Sequence, residues 1–121
     1  MLRELNNVRQ IDGESRRRCF SDADSDLTVW VAMEGTIIGF EFCYDKGKHE
    51  RALRWNRVEG YLHQRVDDGE RRELQHKATP ILVPDGVFDR NKISRLFLEK
   101  SRDIDSNIAD LVLTRISEYS E

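Results

Sequence analysis

The residues best equipped for chemistry in this chain are Arg54, Arg65, His63 and Glu41, with Asn56, Trp30 and Tyr61 as companions. Two guanidiniums can clamp a carboxylate or phosphate through paired N–H donors. The rings of Trp30 and Tyr61 can lie against an apolar part of the same ligand. His63 is a general base by type, and Glu41 or Asn56 would orient it. What such a set lacks is a nucleophile. Cys43 shares a face with Glu41, but strand spacing leaves it too far from His63 for a hydrogen bond. The seven residues therefore form a candidate site for an anionic, partly apolar ligand. The competing reading is a plain solvated sheet face, which is normally polar.

Other chemistry-bearing stretches match known patterns less well. Asp22-Ala23-Asp24-Ser25-Asp26 begins like a calcium loop. An EF-hand then needs Gly at its sixth position and Glu at its twelfth, and Leu27 and Met33 stand there. His49, His63 and His76 show no metal-ligand spacing, even counting Asp67, Asp68 and Glu70. Arg16-Arg17-Arg18 is a short basic run, but acidic residues flank it and strand alternation would turn Arg17 away from its neighbours. Asp45-Lys46-Gly47-Lys48 is no phosphate-binding loop. No cofactor or metal is expected.

Composition agrees with this restraint. The 121 residues fit one domain, and 20 Lys and Arg against 23 Asp and Glu give a net charge of −3. Sequence-independent nucleic-acid binding needs a basic footprint, which that balance does not supply. Cys19 and Cys43 make no disulfide framework. The first residues lack the apolar run of a signal peptide, and nothing approaches the ~20 apolar residues of a membrane span. A cytoplasmic domain without membrane contact is the expectation.

The elements that must position the seven residues are strands. In residues 27–44, Leu27, Val29, Val31 and Met33 alternate with Thr28, Trp30 and Ala32. Beyond Glu34-Gly35, Ile38, Phe40, Phe42 and Tyr44 alternate with Ile37, Gly39, Glu41 and Cys43. That period of two, in β-branched and aromatic residues, specifies strands. A two-residue loop at Glu34-Gly35 pairs Met33 with Thr36, Val31 with Ile38, Val29 with Phe40 and Leu27 with Phe42. Pairing Tyr44 with Arg51 brings Phe42 to Leu53 and Phe40 to Trp55. A second two-residue loop at Glu59-Gly60 pairs Leu53 with Val66, Trp55 with Gln64 and Arg57 with Leu62. This register sends Arg54, Arg65, Asn56, His63 and Tyr61 to the outer face with Trp30 and Glu41.

The ends of the chain are less regular. Asp12-Gly13 suits a turn between 4–11 and 14–21, but a two-residue loop there sets Arg9 against Arg16. Either the turn is longer, or that pair faces water or an anion. Residues 79–84 are extended, because Pro80 and Pro84 disfavour helix in the residues before them. Asp89 suits a helix N-cap, with Phe88 and Ile93 at the spacing of a hydrophobic staple. Ile93, Leu96 and Phe97 form the apolar stripe. Asp105 or Ser106 caps a second helix, on which Ile108, Leu111, Val112, Ile116 and Tyr119 repeat.

The fold expected is α+β, a single domain over 1–121. An antiparallel β-meander of about five to six strands fills 1–66, a loop spans 67–86, and two C-terminal helices in 87–120 pack on one sheet face. The functional expectation is a non-catalytic binding or protein-interaction module, such as a homodimer using the outer face or an open edge. The alternatives are an anionic small-molecule binder on that face and, less favoured, an enzyme using His63 and Glu41.

Overall fold

The computed structural model describes residues 1–47, 49–67, 81–84 and 88–119. Among these residues, seven strands pair in sequence order into one antiparallel sheet: β1 (Arg3–Glu4), β2 (Arg16–Ser21), β3 (Asp26–Val31), β4 (Ile37–Tyr44), β5 (Arg51–Asn56), β6 (Gly60–Asp67) and β7 (Ile81–Pro84). Two helices follow, α1 (Arg90–Lys100) and α2 (Ser106–Glu118). The α+β meander with C-terminal helices is thus the fold. The extended stretch at 81–84 is itself in the sheet, pairing Val83 with Arg65.

The centre of the sheet has the expected register, reached in an unexpected way. Ala32 accepts from Gly35 N and donates to Thr36 O, so the first loop holds three residues, Met33, Glu34 and Gly35. Gly35 takes the positive φ of 92° that this turn requires. That loop sets Val31 opposite Ile37, not Ile38. Ile38 is then the extra residue of a β-bulge, and from Trp30–Gly39 onward the pairing is restored. Val29–Phe40, Leu27–Phe42, Phe42–Leu53 and Phe40–Trp55 all form.

The second loop also holds three residues, Arg57, Val58 and Glu59, and here no bulge compensates. Asn56 Oδ1 accepts the N–H groups of Val58 and Glu59 at 2.9 and 2.7 Å. This Asx turn lets Gly60 pair directly with Asn56. Trp55 therefore meets Tyr61 and Leu53 meets His63, where Gln64 and Val66 were expected. The displacement is three residues, and an odd displacement exchanges the two faces of a strand. Tyr61 and His63 turn inward, while Leu62 and Gln64 turn outward.

The inner face carries Phe20, Leu27, Val29, Phe40, Phe42, Leu53 and Trp55, which join Ile93, Phe97, Ile108, Val112 and Ile116 of the helices in one buried core. Phe97 meets Phe42 edge-on at 5.2 Å between centroids. Asp89 and Asp105 cap the helices, accepting from Lys92 N and Asn107 N. Asp105 also takes Arg18 Nη1 at 3.2 Å, while Glu4 grips the same guanidinium at 2.7 and 2.8 Å. The N-terminal hairpin has the longer turn: Gln10 Oε1 and Nε2 bond the backbone of Arg17 in place of a strand, and Arg9 offers its carbonyl to Arg17. The Arg9–Arg16 opposition does not arise.

The acidic run 22–26 has a structural task. Asp22 Oδ1 accepts from the N–H groups of Asp24 and Ser25, and Oδ2 meets Lys100 Nζ at 2.7 Å, tying the sheet to the end of α1. The Asp22 side chain is only 7% exposed. Burial works to raise its carboxyl, but the Lys100 ammonium and the two N–H groups prevail and hold it at about 2. A depressed carboxyl stabilises the fold above its unfolded value and loses that contribution as pH falls through the folded one.

Two predictions follow from this frame. In urea titrations, Asp22→Asn should cost about 2 kcal/mol at pH 7, and the gap to wild type should close between about pH 4 and pH 2. A gap that persists at pH 2 would contradict the assignment. A Cβ on Gly39 would stand 2.8 Å from the carbonyl oxygen of Trp55. Gly39→Ala should therefore destabilise by about 1–3 kcal/mol, and an unchanged urea midpoint would refute that packing.

Candidate functional site

The outer face keeps four of the seven residues. Trp30 on β3 stands opposite Gly39 on β4, which stands opposite Asn56 on β5. One row along, Thr28, Glu41 and Arg54 align. Arg54 donates Nε to Glu41 Oε2 at 2.8 Å, and its Nη2 binds the same oxygen. The other Glu41 oxygen accepts from the Cys43 thiol at 3.6 Å. The charge of Arg54 is thus balanced on its own face.

The other three residues lie elsewhere, for the parity reason already given. Tyr61 donates its hydroxyl to the carbonyl of Arg115 at 2.7 Å and so fastens α2 to the sheet. His63 is 5% exposed and shares a 2.6 Å hydrogen bond with Tyr44. Its ring packs between Tyr44 and Phe88, with Tyr119 beside them. It is a core histidine, which corrects its placement as an outward base beside Glu41. Arg65 pairs opposite Arg51 and not Arg54, whose neighbour is Leu62. The structure therefore does not bring Arg54, His63 and Arg65 together.

Three of these four, Trp30, Arg54 and Asn56, help wall a depression of about 920 Å³. Trp30, Ile38 and Gly39 line it together with Arg54, Asn56, Arg57, Val58 and Glu59. Three local features build it. Gly39 has no side chain to fill the space beside Trp30. The bulged Ile38 offers its carbonyl to Arg57 N at 3.0 Å, which draws the second hairpin loop over the same end of the sheet. The Asx turn then holds Val58 at the loop tip, 94% exposed. Ile38, Arg57, Val58 and Glu59 were not singled out by sequence. Asn56 followed by Gly60 at a three-residue separation was the signal that could have found the loop.

The remaining chemical candidates fall away within the described residues. Burial and the neighbouring Glu41 carboxylate push the Cys43 thiol far up, so it stays protonated near neutrality. Cys43 and His63 face opposite sides of the sheet. His49 is exposed, His76 lies outside the described residues, and no group of three metal-binding side chains occurs among those described. None of the described helices is long and apolar enough to cross a membrane. Comparisons with protein-family models, curated proteins and solved structures yield no match.

The thiol offers a direct check. Cys43 in the folded protein should react with an aromatic disulfide at pH 7.5 at least about tenfold more slowly than in urea. Equal folded and unfolded rates, measured on Cys19→Ser protein, would overturn its placement.

Proposed function

We propose that this chain is a non-catalytic binding module whose contact surface is the outer sheet face around Trp30. The observation that carries this reading is the open depression between Trp30 and the Arg57–Glu59 loop. The helices cover the opposite face, so a partner can approach here without disturbing the core. The lining suits an apolar group: an indole, an isoleucine, a bare glycine backbone and the aliphatic stems of arginines. The Glu41–Arg54 pair neutralises itself beside it, which favours a protein surface over a strongly anionic ligand. The anionic small-molecule reading is weaker than sequence suggested, because Arg65 and His63 lie on the other face.

Among the described residues, the groups that could serve as base or nucleophile are already engaged. His63 is committed to Tyr44, and Cys43 to Glu41. Site-directed photocrosslinking tests the reading. A benzophenone side chain at Val58 or Leu62 should give one discrete, saturable crosslinked species. The same probe at Leu98, exposed on α1, should not. Identical, unsaturable products from all three positions would sink the proposal.

A further inference from the structure

The depression has a knob beside it. Val58 projects from the loop tip almost free of contact, 94% exposed, on the rim of the hollow that Trp30, Ile38 and Gly39 form. A large apolar side chain held out by a capped turn is an uncommon way to finish a hairpin, where Gly, Asn and Asp are favoured. Its two neighbours carry opposite charges. Arg57 and Glu59 are both exposed, and neither makes a side-chain hydrogen bond or ion pair with a described residue. Knob, hollow and two unspent charges of opposite sign thus lie within one short segment.

That combination is complementary to itself. In a two-fold contact, residue i of one copy meets j of the other, and j meets i. A two-fold axis near the loop would set Val58 of each copy into the other's hollow. The same operation places Arg57 against the partner's Glu59, twice. A surface carrying charges of one sign would repel its copy in this arrangement, whereas an Arg-Val-Glu tip attracts it.

From this we propose that the partner of the Trp30 depression is a second copy of this chain, joined through the Arg57–Glu59 loop in an isologous dimer. The inference rests on the binding-module reading and names its partner. Two knob-in-hollow contacts bury less area than a standard interface, so the dimer is weak, with a Kd of about 10–500 μM. Assembly therefore depends on concentration, and dilution returns the monomer.

Charge reversal provides the test. Light scattering and sedimentation at about 5 μM to 1 mM, bracketing the Kd expected for a contact of this size, should show a monomer–dimer equilibrium for the wild type. R57E sets Glu against Glu, and E59R sets Arg against Arg, so each alone should weaken dimerisation roughly tenfold or more. Mixing the R57E and E59R proteins should restore a dimer, now a heterodimer, because both cross-pairs become attractive. The doubly substituted R57E/E59R protein should also dimerise. Circular dichroism and melting curves confirm that the exposed variants keep the fold. A wild type that stays monomeric at 1 mM, or a dimer indifferent to both single charge reversals, would overturn the self-association proposal. A saturable heterologous crosslink from Val58 in a monomeric protein would overturn it too, while leaving the binding-module reading standing.

Discussion

Side chains of a strand alternate, so loop length decides which residues of the returning strand reach the core. That constraint governs this fold more than any single contact. Both Glu-Gly hairpins contain one residue more in the loop than a minimal turn. In the first, the bulged Ile38 absorbs the extra residue, and Phe40 and Phe42 still point inward. In the second, nothing absorbs the change, and β6 presents Tyr61 and His63 to the helices instead. The polar inner residues that result are held locally, His63 through Nε2 by Tyr44 and Tyr61 by the Arg115 carbonyl.

The helices close the inner face through charge as well as packing. Asp22 binds Lys100 at the end of α1, and Asp105 at the start of α2 binds Arg18 from β2. These two pairs flank the short connection between α1 and α2 and complement the helix dipoles, a cation at the C-terminus of one helix and an anion at the N-terminus of the next. Arg115 lies over the Trp55 ring at 4.6 Å, sealing the sheet–helix boundary by a cation–π contact. The charge-rich composition therefore serves the joins between layers as well as the solvated surface.

Much of this was legible in sequence, and the failures have physical causes. The alternation from Leu27 to Tyr44 and the β4–β5 pairing could be read because both strands carry bulky apolar residues at every second position. In residues 60–66 the pattern pointed to the wrong face: Leu62, Gln64 and Val66 are less polar as a set than Tyr61, His63 and Arg65, yet Tyr61 and His63 are the ones turned inward. The turn chemistry of Asn56 set the register there and overrode hydrophobic pattern. The candidate site inherited that error. Trp30, Glu41, Arg54 and Asn56 stayed together because they lie on strands whose parity was secure. The hollow itself needed the bulge at Ile38, which periodicity does not announce.

The strand order carries one further consequence, for the time course of folding. Every strand pairs with its neighbours in the chain, so the central pairings ask only for the closure of short loops, and closure entropy grows slowly with length. The β3–β4–β5 unit can zip by successive hairpin steps, each with little entropy to overcome. The helices have no apolar surface to meet until Phe42, Leu53 and Trp55 share one face. Their docking closes the longest segments of chain, linking Asp22 to Lys100 and Arg18 to Asp105. Connectivity thus favours one order of assembly, with the sheet as template and the covering layer after it.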